Sequence, residues 1–141
     1  CLLAPLVGRQ AGLLLADTTR YAEKQLFVAQ CGVDPARIAA IGGIEARGVD
    51  LWAERERVLD LLTEAGKNLL AVGRVQVLLL GCLSFLGLAH PLSERLGVPV
   101  VDPAVAPVAL AECLVRQGLK TSRKAYPAPP LRKRTWQSGQ L

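Results

Sequence analysis

The sequence predicts an α/β protein built on a parallel sheet, and two observations carry that prediction. Short unbroken apolar runs alternate with longer amphipathic segments, and each of the four amphipathic segments is closed by a glycine, at 32, 73, 97 and 118. Unbroken runs suit strands buried on both faces, which is what helices layered on a parallel sheet produce.

Taken in order, Gly12–Ala16 is the first such run and reads as a strand. Asp17, Thr18 and Thr19 follow it with capping side chains, and a helix through Tyr21, Lys24, Gln25, Leu26 and Val28 ends at Gly32. Arg37–Ile41 is a weaker second strand running into a Gly42–Gly43 turn. Asp50 is the N-cap expected for a helix whose apolar positions are Leu51, Val58, Leu61, Leu62, Ala65 and Leu69. The third strand is Val75–Leu80. A helix is expected over about Phe85–Leu96, then a fourth strand at Val98–Val101, where Pro99 argues for a sheet edge. Asp102, Pro103 and Pro107 begin a last helix that reaches Gln117. The chain divides on this reading into residues 1–10 (the remnant of a preceding helix or linker), 11–101 (the α/β lobe), 102–119 (the C-terminal helix) and 120–141 (a basic, proline-containing tail).

A length of 141 residues suits one domain with a proper core. Hydrophobic content of 51% and a mean hydropathy of +0.31 exclude a disordered chain. The longest apolar stretch, Val77–Ala89, is interrupted by glycines and Ser84 and is too short to span a bilayer. No secretory signal pattern opens the chain, so a cytoplasmic location is expected. The sequence contains no Met and opens on Cys1-Leu2-Leu3-Ala4-Pro5, which reads as an N-terminal truncation. The net charge of +5 belongs to the C-terminal end: Arg116, Lys120, Arg123, Lys124, Arg132, Lys133 and Arg134 occur there without an acid. The preceding part holds ten basic and twelve acidic residues, so the fold itself is near balance and no nucleic-acid or membrane partner is expected. Cys1, Cys31, Cys82 and Cys113 have no paired spacing and there is one His, which leaves no basis for a zinc site. Cys31 and Cys113 read as buried thiols in a reducing compartment.

In a parallel sheet, ligands sit beyond the carboxyl ends of strands, and Cys82 falls at such a place. With a helix expected to start just after it, free N–H groups and the helix dipole would favour thiolate. Gly81 lets backbone approach a ligand, and the N–H groups of Leu83 and Ser84 could hold a carboxylate or imide oxygen. The bland alternative is a small buried thiol. Thr18 and Thr19 occupy the equivalent position after the first strand, where helix capping is the competing reading. His90, Glu45 and Arg47 read as surface charges. Dinucleotide, Walker and nucleophile-elbow motifs are absent.

The segments Leu80-Gly-Cys-Leu-Ser-Phe-Leu-Gly-Leu-Ala-His-Pro-Leu92, Leu96-Gly-Val-Pro-Val-Val-Asp-Pro103, Leu114-Val-Arg-Gln-Gly-Leu-Lys-Thr-Ser122 and Ala125-Tyr-Pro-Ala-Pro-Pro130 together resemble the C-terminal half of the aspartate/glutamate/hydantoin racemase superfamily, in the hydantoin and allantoin racemase branch. The likeness runs from about Gly12 to Pro130 and is most specific around Cys82. It implies one flavodoxin-like lobe, a parallel four-stranded sheet flanked by helices, from a two-lobed fold whose other lobe is largely missing. It also implies racemisation without a cofactor: one cysteine removes the α-proton from one face of the substrate, and a second returns a proton to the other face. Cys82 matches the family's second cysteine, Leu83 and Ser84 the substrate-binding turn, and Thr18 and Thr19 a threonine pair. Two departures stand out. The first family cysteine lies in a segment this chain lacks, and Leu83 stands where amino-acid racemases usually carry Thr.

The expectation is therefore a racemase or epimerase acting on a small molecule, a hydantoin or amino-acid derivative, with Cys82 catalytic and Thr18, Thr19, Leu83 and Ser84 binding substrate. The chain alone is expected to be inactive, and homo-oligomerisation is possible. Two rivals stay open: a superfamily decarboxylase or cis–trans isomerase using one cysteine, and a non-catalytic α/β module that binds an anion or a partner.

Overall fold

The computed structural model describes residues 3–130. By their internal contacts they fall into two units, one through Ala109 and one from Leu110. Cys1 and the basic residues Arg132, Lys133 and Arg134 lie outside the described residues.

The element order is α1 (Ala4–Val7), β1 (Ala11–Leu15), α2 (Tyr21–Gln30), β2 (Ile38–Gly43), α3 (Arg55–Ala71), β3 (Val77–Leu80), α4 (Ala89–Leu96), β4 (Val100–Val101) and α5 (Val105–Arg116), with single 3-10 turns at Thr18–Arg20, Pro35–Arg37 and Leu83–Phe85. The four strands form one sheet in the order β2-β1-β3-β4, and every pairing is parallel. The flavodoxin-like α/β expectation is met.

The side-chain alternation of strands sorts the apolar runs into two layers. Leu14, Leu78 and Leu80 join Val58, Leu59, Leu62 and Leu69 of α3 and Leu92 of α4 in the larger core, with Phe85 fully buried among them. Leu13, Leu15, Val77 and Leu79 point the other way, with Ala4 and Ala11. Helix α3 is amphipathic because Val58, Leu62, Gly66 and Leu69 recur at helical spacing, and all are buried. Gly66 brings α4 close, since a Cβ there would lie 2.5 Å from Leu96 Cδ1. Thr63, also buried on α3, satisfies its hydroxyl on the Leu59 carbonyl at 2.7 Å.

Five expectations of the fold need correction. The helix expected after an Asp50 cap begins only at Arg55, and Asp50 instead accepts from the Trp52 and Ala53 N–H groups, each at 2.9 Å, in the turn before it. Gly42 and Gly43 do not form a turn; they pair with Leu14 and Leu15 as the end of β2. A Cβ on Gly43 would meet the Leu15 carbonyl oxygen at 2.9 Å, so the strand can lie this close to β1 only without a side chain there. The helix expected from Phe85 begins at Ala89, because Gly87 takes a left-handed φ of 81° and breaks the path. Strand β4 is shorter than expected, although it is the sheet edge that Pro99 implied: it pairs with β3, and the Pro99 carbonyl accepts from Leu78 N–H at 2.9 Å. Cys31 and Cys113 are exposed, not buried. Cys31 falls in the turn just past α2, a helix that buries only Val28, and Cys113 lies on α5, which buries none of its residues, so neither thiol has cover.

No helix among the described residues is long and apolar enough to cross a membrane.

Candidate active site at the carboxyl edge of the sheet

Strand order fixes the switch point of the sheet, the place where α/β folds usually take up ligands. From β1 the chain moves outward to β2; from β3 it moves outward the opposite way to β4. Right-handed crossovers then place α2 on one face and α3 and α4 on the other. Helices α3 and α4 do pack against each other. The carboxyl ends of β1 and β3 are therefore the switch point at which α/β sheets bind ligands.

The two strand ends are built alike. After β1, Asp17 is extended (φ −147°, ψ 127°) and leads into the 3-10 turn Thr18–Arg20. After β3, Cys82 is extended (φ −133°, ψ 133°) and leads into the 3-10 turn Leu83–Phe85. Gly81 N–H bonds the Leu14 carbonyl at 2.7 Å and so ties the second turn to the end of β1. The side chains differ in use. Asp17 closes its own turn by accepting from Thr19 N–H at 2.8 Å, whereas the Cys82 thiol makes no capping bond. Cys82 is half-buried against the larger core, beside Phe85, which is buried completely.

Cys82 does not stand at the start of a helix, contrary to expectation. It precedes a turn of three residues, and α4 begins only at Ala89. The macrodipole of a longer helix is not directed at this sulfur. The turn still leaves the N–H groups of Leu83 and Ser84 without a partner inside it, because its first bond runs from Phe85 N–H to the Cys82 carbonyl, 3.1 Å. The Leu83 side chain is 68% exposed at this rim, and Ser84 is half-buried.

The threonines are placed differently from each other. Thr18 turns toward β2: its methyl lies where a Cβ on Gly43 would be, 2.8 Å away, and its hydroxyl donates to Glu45 Oε1. Thr19 is exposed and its N–H is engaged by Asp17. Glu45 follows β2 in a left-handed conformation, φ 48°, rare for a residue with a side chain. The loop that carries it runs beside the end of β1, with Ile44 N–H on the Leu15 carbonyl and Ala46 N–H on the Ala16 carbonyl. The structure thus unites Thr18 with Glu45, and Cys82 with Leu83 and Ser84, on two adjoining strand ends.

Sequence reasoning passed over two charged residues that hold the Cys82 turn. Arg55, the first residue of α3, donates to the Ser84 carbonyl from Nη1 at 2.8 Å and to the Leu86 carbonyl from Nη2. Its guanidinium also lies 5.3 Å from the centre of the Trp52 ring, in cation–π range. Asp102, read only as a helix start, caps α5 through Oδ1 to Ala104 N–H (2.8 Å) and Val105 N–H (3.0 Å), and reaches back with Oδ2 to Gly87 N–H at 2.8 Å. Burial alone would raise the Asp102 carboxyl. The N–H groups of Val105, Gly87 and Ala104, with the Arg55 charge, outweigh it and hold the group below the usual carboxylate range. The cap was legible as Asp before Pro; the reach to Gly87 had no sequence signal. His90 projects outward from α4, its side chain 85% exposed and 3.6 Å from Glu94.

No family model matches the chain. Among curated proteins it is similar to a hydantoin racemase of Paenarthrobacter aurescens, 38% identical over 84 residues, which is 58% of this chain and 36% of that protein. A hydantoin racemase of a Pseudomonas species is 37% identical over 82 residues, 57% of this chain and 33% of that one. Among solved structures, the allantoin racemase of Pseudomonas fluorescens superposes with a TM-score of 0.78 at 24% identity, over 96% of this chain and 57% of its own. That of Klebsiella pneumoniae gives 0.81 at 23%, over 96% and 56%. The structural likeness speaks for the fold. The matches span about a third of the curated relatives and a little over half of the solved ones.

Proposed function

We propose that this chain is the Cys82-bearing part of a cofactor-independent racemase or epimerase acting on a hydantoin or a related amino-acid derivative. The observation that carries the reading is a thiol left unspent by local capping at the β1/β3 switch point, in a chain whose curated relatives are named hydantoin racemases. In this reading Cys82 exchanges a proton with the substrate α-carbon from one face. The N–H groups of Leu83 and Ser84 receive the carbonyl oxygen on which charge gathers as that proton leaves. Thr18, with its hydroxyl on Glu45, and Thr19 border the substrate from the β1 side. The apolar rim at Leu83 and Leu86 favours a ring or amide substrate over a free dicarboxylic amino acid.

Racemisation needs a second group on the opposite face, since a lone base mostly returns the proton to the face it came from. The other described thiols, Cys31 after α2 and Cys113 within α5, lie outside the strand-end turns. The chain by itself is therefore expected to bind substrate without sustaining two-way racemisation. The test is peptide-resolved alkylation of Cys82 with iodoacetamide, with and without a 5-alkylhydantoin, alongside chiral analysis of the hydantoin in deuterium oxide. Cys82 should react faster than Cys31 and be protected by hydantoin. A Cys82 that reacts like a model thiol and gains no protection would favour a non-catalytic module; steady racemisation by the isolated chain would overturn the single-thiol reading.

A further inference from the structure

The turn that carries Cys82 has little to hold it by itself. It is a three-residue 3-10 turn followed by a left-handed glycine, and such a segment has few internal hydrogen bonds to resist reorientation. Yet it is pinned from two directions by charged groups that come from elsewhere in the chain. Arg55 reaches across from α3 and grips the carbonyls of Ser84 and Leu86, 29 and 31 residues away. Asp102, 15 residues on, takes the Gly87 N–H while its other oxygen is committed to the start of α5. Asp102 is only 9% exposed and Arg55 is half-buried; the bonds to the Ser84 carbonyl and from the Gly87 N–H are partly buried, and the bond to the Leu86 carbonyl is exposed.

We propose that Arg55 and Asp102 are positioning residues for the Cys82 turn: the guanidinium on the Ser84 and Leu86 carbonyls and the carboxylate on the Gly87 N–H fix the 84–85 and 86–87 peptide planes, and through this short turn they hold the preceding Leu83 and Ser84 N–H groups at the strand-end rim. The inference rests on the racemase reading for its chemical consequence, though not for the clamp itself. A guanidinium is needed because it presents several donors in a fixed plane, which an ammonium on a longer free stem cannot copy. The cation–π contact with Trp52, 5.3 Å from the ring centre, favours this position of the guanidinium. Neither residue touches the reacting atoms; both act through the turn.

The test uses the 141-residue chain with Arg55→Lys and Arg55→Met, and Asp102→Asn as a second line should the Arg55 variants fail to fold. Backbone amide exchange at Phe85–Leu88 should rise about tenfold or more in both Arg55 variants, as expected when a charge-assisted bond is lost, while the buried stretch of α3 and the body of α4 keep wild-type exchange. Asp102→Asn should loosen Gly87. Protection of Cys82 by a 5-alkylhydantoin should weaken by a similar factor, and in Arg55→Lys, which keeps the charge, the pH profile of Cys82 alkylation should match wild type, since the clamp acts on geometry. Unchanged exchange at Phe85–Leu88, exchange raised uniformly through α3 and α4, or full restoration by Lys would each overturn the proposal. The two readings fail separately. A wild-type chain unprotected by hydantoin removes the racemase reading and leaves the exchange result standing, whereas equal protection in wild type and Arg55→Lys removes the positioning role alone.

Discussion

Replacing Asp102 tests how a single carboxylate can join the start of one helix to the turn before another. Asp102→Ala removes the α5 cap, worth about 1 kcal/mol, and a charge-assisted bond to Gly87 worth about 1.5–3 kcal/mol, for a loss of about 3 kcal/mol. Asp102→Asn keeps one carbonyl oxygen, which can serve α5 or Gly87 but not both as well, and should cost about half as much. The sign of the pH dependence follows from the depressed carboxyl. A group held below its ordinary value of 3.8 contributes stability that is present above that value and is lost as pH falls through the lower folded value. The gap between wild type and Asp102→Asn should thus be constant from pH 7 to about 5 and close progressively below 3.8, while other carboxylates cancel between the two proteins. Urea unfolding followed by circular dichroism at each pH measures it. A loss under about 0.5 kcal/mol for Asp102→Ala, the range of an ordinary surface change, would refute the reasoning, as would a gap that does not change between pH 7 and pH 3.

Two further outcomes concern the sheet. Gly43→Ala places a methyl 2.9 Å from the Leu15 carbonyl and 2.8 Å from the Thr18 methyl; since the carbonyl cannot move aside, a loss of about 1–3 kcal/mol is expected in urea unfolding, with the Thr18–Glu45 contact disturbed. Leu78→Ala empties a fully buried position between α3 and the sheet and should cost about 2–5 kcal/mol by thermal or urea melts; a smaller loss would mean that the core closes over the gap.

Much of the scaffold was legible because its signals are local. Unbroken runs such as Gly12–Leu15 and Val77–Leu80 can satisfy their burial only inside a layered sheet, and Gly32, Gly73, Gly97 and Gly118 do take the left-handed conformation expected where a helix stops. What misled was equally physical. Gly42 and Gly43 carry a turn signal, yet the close approach of β1 uses them as strand. The apolar residues from Phe85 onward have helical character, but Gly87 delays α4 and leaves Cys82 before a short turn. Cys31 and Cys113 were read from residue type, which says how often a thiol is buried and nothing of whether the segment around it has cover. In the candidate site, the position of Cys82, Leu83 and Ser84 just after a strand was legible in the sequence. Arg55 and the Gly87 contact of Asp102 depend on packing between distant segments, which no spacing along the chain encodes.

The matched strand ends have one more implication. At position 17 a carboxylate completes the turn it begins; at position 82 the side chain leaves that task undone. Aspartate or serine at 82 would make the tighter molecule, by about 1 kcal/mol, and would leave no sulfur at the rim. In the proposed reading, a capping side chain and a proton-exchanging thiol compete for this one position, and cysteine there gives up a stabilising bond in return for a sulfur at the rim.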